Sequence, residues 1–175
     1  HARNLLDRAT NLLPRVDKLW FKYVMIEESL SHVEIVRNLF TKWCFLEPGT
    51  NAWDAFVEFE IRQQQFDKVR DIYSRYVLIH PQTDTWLKWV NFEKRHGEVD
   101  TVRKVYSLAL DTLVSFPKID EAEVIKLIIW FIDWEATQQE YERCRALFKI
   151  SIERWPESTQ LKDSLAQFEK KFGDS

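Results

Sequence analysis

The chain has 175 residues, of which 45% are hydrophobic and 30% charged, with eight Trp, twelve Phe, three Gly and five Pro. That composition excludes a disordered polymer and suits long helices with few breaks. A net charge of −3 excludes a broadly basic, phosphate-neutralising surface. Cys44 and Cys144 stand too far apart for a CxxC motif and fit a reducing compartment.

Hydrophobic periodicity predicts ten helices in chain order. The first, over 2–13, carries Arg3. Helices over 18–29 and 32–45 form a hairpin with Trp20, Tyr23, Ile26 and Glu27, then Arg37, Leu39, Phe40 and a closing Pro48. Helices over 51–64 and 66–79 repeat it with Trp53, Phe56, Phe59 and Glu60, then Arg70, Ile72, Tyr73 and Pro81. Helices over 84–95 and 99–115 do so with Trp86, Trp89, Phe92 and Glu93, then Arg103, Val105, Tyr106 and Pro117. Helices over 120–137 and 140–154 follow with Ile128, Phe131, Trp134 and Glu135, then Arg145, Leu147, Phe148 and Pro156. The last, over 158–171, has Lys162 at the Trp place, then Leu165, Phe168 and Glu169. The polar stretches "QQQFD", "RHGEVD" and "TQQEY" separate the two helices of a hairpin, and Pro ends the unit.

The markers keep step. Glu27, Glu60, Glu93, Glu135 and Glu169 are spaced by 33, 33, 42 and 34 residues, and each Glu but the last is followed by Arg ten residues on. The long interval comes from extra residues around Pro117. Such self-similarity marks a repeat array. The units are expected at about 1–14 (a second helix only), 15–48, 49–81, 82–117, 118–156 and 157–175 (a first helix only). The first helices are apolar on more than one face: four residues after the Trp place stand Val24, Val57, Val90 and Ile132. A neighbouring hairpin on each flank covers such a helix, so the expected fold is all-α, an α-solenoid of antiparallel helix pairs. Glu60 at the end of one helix and Arg70 early in the next are expected to pair within their hairpin and fix its register. Both ends stop mid-unit, so a slice of a longer array is expected.

Trp–aromatic–aromatic–Glu followed by Arg–aromatic–Pro resembles the half-a-tetratricopeptide (HAT) repeat. It lacks the Leu-Gly that tetratricopeptide repeats place between Trp and Tyr. The phrases "ARNLLDRATNLLPRVDKLWFKYVMIEESL", "FEIRQQQFDKVRDIYSRYVLIHP" and "FEKKFGD" are similar to the crooked neck family of splicing factors, above all its fungal members. Lys162 and Ile128 depart from the Trp of the pattern. The resemblance implies a right-handed, tetratricopeptide-like superhelix and a nuclear scaffold in pre-mRNA splicing. It also implies membership of the nineteen complex, with other spliceosomal proteins as partners held along an arch of repeats and RNA nearby.

The aromatic stripes lie at core spacing, so core packing is preferred to base stacking. Glu27–Glu28 and Asp133 with Glu135 are carboxylate pairs without a companion nucleophile or His, so no catalytic residue is expected. His32, His80 and His96 lack ligand spacing, so no metal is expected, and three glycines build no phosphate loop, so no cofactor is expected. The outward positions of the first helices, Lys22, Met25, Glu58, Arg62, Lys88, Asn91, Arg95, Trp130 and Asp133, are the candidate partner-binding groove. Trp130 is either an exposed anchor or buried against "SFPKIDEAE". An RNA-binding solenoid is the alternative reading, from "KWVNFEKRH" and "EKK". Homodimerisation through the array's ends is a further expectation that a cut chain would produce artificially. No apolar run is long enough to cross a membrane, the longest lying around 127–132.

Overall fold

The computed structural model describes residues 2–116, 118 and 120–173. Among them lie ten helices: α1 (Ala2–Leu12), α2 (Asp17–Ser29), α3 (Val33–Phe45), α4 (Thr50–Arg62), α5 (Phe66–Ile79), α6 (Thr83–His96), α7 (Val99–Ser115), α8 (Glu121–Thr137), α9 (Tyr141–Arg154) and α10 (Thr159–Phe172). No strand occurs among the described residues. Every expected helix is present, with ends within two residues of the periodicity. Pro117 lies outside the described residues.

The chain divides into two compact units, His1–Pro81 and Gln82–Ser175. In the first, each helix from α1 to α5 packs against the next; in the second, α6 to α10 do the same. Within each unit this is the stacking of a solenoid, where the second helix of one hairpin also covers the first helix of the next. In the second unit α8 also touches both α6 and α10, the neighbouring first helices.

The turns inside the hairpins share one device. At the end of α2 the amide of His32 donates to the Glu27 carbonyl (3.0 Å) and that of Ser31 to the Glu28 carbonyl (2.9 Å), with Ser31 at φ 61°. This is a Schellman closure around a left-handed residue. Gln65 and Gln64 bond Glu60 and Ile61 in the same way, as Glu140 and Gln139 bond Glu135 and Ala136, with φ of 56° at Gln64 and 60° at Gln139. The Glu of the repeat therefore receives the closing bond of its own helix. Gly97 holds the equivalent place in α6 but is extended, and a Cβ there would lie 2.4 Å from Thr101 Oγ1. That oxygen already takes the Glu98 amide at 2.9 Å and so heads α7. After α3, Glu47 turns at φ 54° into Pro48, which stops the helix.

The core follows the stripes. Trp20, Trp53, Trp86, Trp89, Tyr23, Phe56, Phe59, Phe92, Phe131, Trp134 and Phe168 are buried, as are Val24, Val57, Val90 and Ile132. Ile128 is buried at its Trp place, whereas Lys162 is exposed and its neighbour Leu161 is buried instead. Burial one place before the Trp recurs in Ala52, Thr85 and Leu127. Both cysteines are free and buried, and burial pushes the thiols up, to about 12 for Cys44 and about 11 for Cys144.

The aromatics of α3, α7 and α9 reach forward. Phe40 stacks on Phe56 (5.1 Å between ring centres) and meets Phe59 (5.7 Å) on the next first helix. Tyr106 likewise stacks on Phe131 at 4.7 Å and touches Trp134, while Phe148 meets Phe168 at 5.6 Å. Three residues on, the side chain faces its own hairpin: Trp43 stacks on Trp20 at 5.7 Å and Tyr76 on Trp53 at 5.5 Å.

The ion pairs correct the expected register. Glu60 does not pair with Arg70 of its own hairpin. Arg37 of the preceding helix holds it, Nε donating to Oε2 at 2.7 Å and Nη2 to Oε1 at 2.8 Å. Arg3 forks onto Glu27 at 2.7 and 3.0 Å, and Arg103 onto Glu135 at 2.9 and 2.8 Å. Arg145 Nε donates to Glu169 at 3.1 Å. The reason is positional. Glu60 lies four residues after Phe56, on the stripe that packs against α3. The carboxylate therefore faces the preceding second helix, not its own partner. The guanidiniums of Arg37, Arg103 and Arg145 also lie over Phe59, Trp134 and Phe168, 5.5–5.9 Å from the ring centres. Arg70 and Glu93 fall on opposite sides of the division between the units; within its own helix Arg70 donates to Asp67 at 3.1 Å, and Glu93 is buried.

Candidate partner-binding site

The repeat signature is consumed by the core and the clamps. Glu27 and Glu135, the members of the carboxylate pairs with a catalytic look, are 1% exposed and forked by arginine. Glu27 also receives His32 at 2.7 Å, and the Arg3 hydrogen bonds, against the opposing pull of burial, hold its carboxyl below the usual range. The Pro48 carbonyl is met by His80 Nε2 at 2.8 Å, and the Pro14 carbonyl accepts from Trp20 Nε1 at 3.0 Å. Pro81 is half-buried and Pro156 exposed. Among the described residues no group of His, Cys, Asp and Glu is placed to hold a metal ion, and no helix is long and apolar enough to cross a membrane.

Of the outward positions in the first unit, Lys22, Met25, Glu58 and Arg62 are all exposed. Met25 shows 65% of its surface. Arg62 is engaged within the chain: its Nε and Nη2 donate to Glu28 at 2.9 and 2.8 Å, tying α4 to α2 on the outward face. Glu28 was not among the outward positions expected, although it lies one turn beyond Val24 on the same helix.

In the second unit, Asn91, Arg95 and Asp133 are exposed, and Lys88 and Trp130 are half-buried. Three of these converge. Asn91, Trp130 and Asp133 line a cleft of about 410 Å³ with Leu87, Lys94, Tyr106, Trp134 and Thr137. One wall is an i, i+4, i+7 stripe of α6 (Leu87, Asn91, Lys94), and the other an i, i+3, i+4, i+7 stripe of α8 (Trp130, Asp133, Trp134, Thr137). Trp130 is thus neither a free anchor nor a core residue: it forms a wall whose ring face carries the Lys126 ammonium at 4.9 Å. Lys88 and Arg95 are not part of the lining.

Lys94 is the residue that outward-facing positions did not reveal. It sits eight places after Trp86, and its ammonium lies 5.7 Å from the Tyr106 ring centre. The α6 stripe that holds Leu87 and Asn91 would have pointed to it. Neither Lys94 nor Asp133 has an ion-pair partner among the described residues. Desolvation by the walls lowers the Lys94 ammonium and raises the Asp133 carboxyl. A larger furrow of about 610 Å³ opens between α7 and α9, lined by Leu110, Val114, Ile128, Leu147, Ile150 and Trp155, among others. Ser151, at the place that Trp43 and Tyr76 hold in the first unit, is part of its lining.

The HAT (Half-A-TPR) repeat family matches residues 64–95. The chain is 61% identical over 152 residues to Pre-mRNA-splicing factor CLF1 of Kluyveromyces lactis, covering 87% of this chain and 22% of that protein. It is 68% identical over 149 residues to the protein of the same name from Eremothecium gossypii, covering 85% and 22%. For that of Saccharomyces cerevisiae the identity is 64% over 140 residues, covering 78% and 20%. The chain spans about a fifth of the length of these relatives. With its stacked hairpins and inter-hairpin clamps, it is a HAT-repeat array. Within that class it is similar over most of its length to fungal splicing factors of the crooked neck family.

Proposed function

We propose that this chain is a protein-interaction scaffold of the pre-mRNA splicing machinery, working in the nucleus as part of the nineteen complex and holding other spliceosomal proteins on the outward faces of its first helices. The identity of 61–68% to splicing factors over most of the chain carries this reading. The use of the repeat's charged residues supports it. The glutamates in contact with arginine are spent on joining hairpins, which leaves surface recognition as the work open to the chain. The exposed Met25 and Arg95 and the half-buried Trp130 are the contacts proposed for partners.

A triple variant Met25→Ala, Arg95→Ala, Trp130→Ala tests the reading in pull-downs from splicing extract, with circular dichroism to verify the fold. The expected result is loss of spliceosomal proteins from the pull-down with the helical signal kept. Retention of the full set would rule out these faces as the docking surface. Binding of this chain to single-stranded RNA, falling steeply with added salt, would favour the RNA-binding alternative.

A further inference from the structure

The cleft between α6 and α8 holds an unusual set of groups for a scaffold surface. A Trp face, a carboxylate and an ammonium lie within one furrow of about 410 Å³, and neither charge is neutralised by an ion pair. At other helix–helix contacts Arg37, Arg62 and Arg103 each fork a carboxylate. Both side chains are exposed and partly desolvated by the walls, with Lys171 attracting Asp133, and a ligand of complementary charge offers each a direct partner. The Lys126 ammonium over Trp130 shows which charge the ring face takes.

From this we infer that the cleft docks a short protein segment carrying an arginine beside an acidic residue. The guanidinium lies on the Trp130 indole and forks Asp133, while the acid reaches Lys94 and the Asn91 amide takes a main-chain group. Arginine fits better than lysine because its planar fork stacks on the ring and pairs with a carboxylate at once. Asp133 repels a phosphate backbone, so a nucleic-acid strand is disfavoured. Lys126 occupies the ring and is exposed, so the incoming arginine displaces its ammonium into water. This inference rests on the scaffold reading and adds the chemistry of one occupant.

Panning a library of displayed twelve-residue peptides against the 175-residue chain tests it. The expected peptides carry Arg with Asp or Glu close by. Asp133→Lys weakens them about tenfold, and exchanging the peptide's Arg for Glu restores part of the loss. Lys126→Ala strengthens binding, because it removes a competitor for the ring. Peptides that need Trp130 but show no Arg–acid pair would overturn this inference and leave the scaffold reading standing. The inference is equally lost if no selected peptide depends on Trp130 or Asp133, or if a U12 oligonucleotide displaces the peptides. A concentration-dependent dimer, seen by sedimentation and abolished by Trp130→Ala, would assign the cleft to a second copy instead. Failure of the scaffold reading registers separately, in the pull-down with the triple variant.

Discussion

Arg37→Ala leaves Glu60, 1% exposed, without the fork that satisfies it. Breaking one side of such a buried pair costs about 3 kcal/mol, whereas replacing both partners with apolar residues recovers most of it. Urea midpoints are therefore expected to fall for Arg37→Ala and to recover in Arg37→Met with Glu60→Leu. Glu27 adds a pH signature. Arg3, chiefly, and also His32 hold its folded carboxyl below the ordinary value of 4.5. Its contribution is complete above that value and is lost as pH falls through the lowered one. In an Arg3→Met variant the Glu27 carboxyl is expected to titrate at higher pH in carbon-detected NMR, because burial then acts with less opposition. The hairpin turns allow a gain. Gln64 sits at φ 56°, a region costly to a residue with a Cβ. Gln64→Gly is expected to stabilise by about 0.5 kcal/mol, after the entropy that glycine adds to the unfolded chain. Gly97→Ala should destabilise, since its Cβ meets Thr101 Oγ1 at 2.4 Å.

Between helices, the forward-reaching aromatic is the main joint. Phe40 stacks on Phe56 and meets Phe59 at a tilt, both on α4, so Phe40→Ala removes the contact that seats one hairpin on the next. The expected loss is about 3–5 kcal/mol, with amide exchange in α4 accelerating as well as in α3. Helix positions and core stripes were legible because period 3.6 is written directly in Trp53, Phe56 and Glu60. The partner of Glu60 is not legible in this way, because Arg70 lies at the same height along the hairpin without facing it, and Arg37 takes its place. Phe56 and Glu60 share a stripe, and the fold seats that stripe on α3. Positions such as Trp43, Tyr76, Ala109 and Ser151 were harder to see. They are as different in size as residues come, so no residue type marks the place, although all four are buried.

At the scale of the molecule, each compact unit has its own core, one with Phe40, Trp53 and Tyr76 and the other with Trp86, Tyr106 and Phe131. Residues 82–175 expressed alone are accordingly expected to keep a helical spectrum and a cooperative urea transition. A featureless, non-cooperative loss of signal would show that this unit does not stand by itself. By itself the sequence determined the ten helices, their hairpin pairing and most of the aromatic stripe of the first helices, because these depend on local periodicity and on turn chemistry repeated at a constant spacing. Ile26 and Leu165 on that stripe are only half-buried. Only the tertiary structure decided which hairpin Arg3, Arg37, Arg103 and Arg145 serve and how α6 and α8 bring Lys94, Trp130 and Asp133 to one furrow. Those outcomes depend on which stripe of a helix meets its neighbour and on how closely the two helices approach. Both are relations between helices that the order of residues along any one of them does not contain.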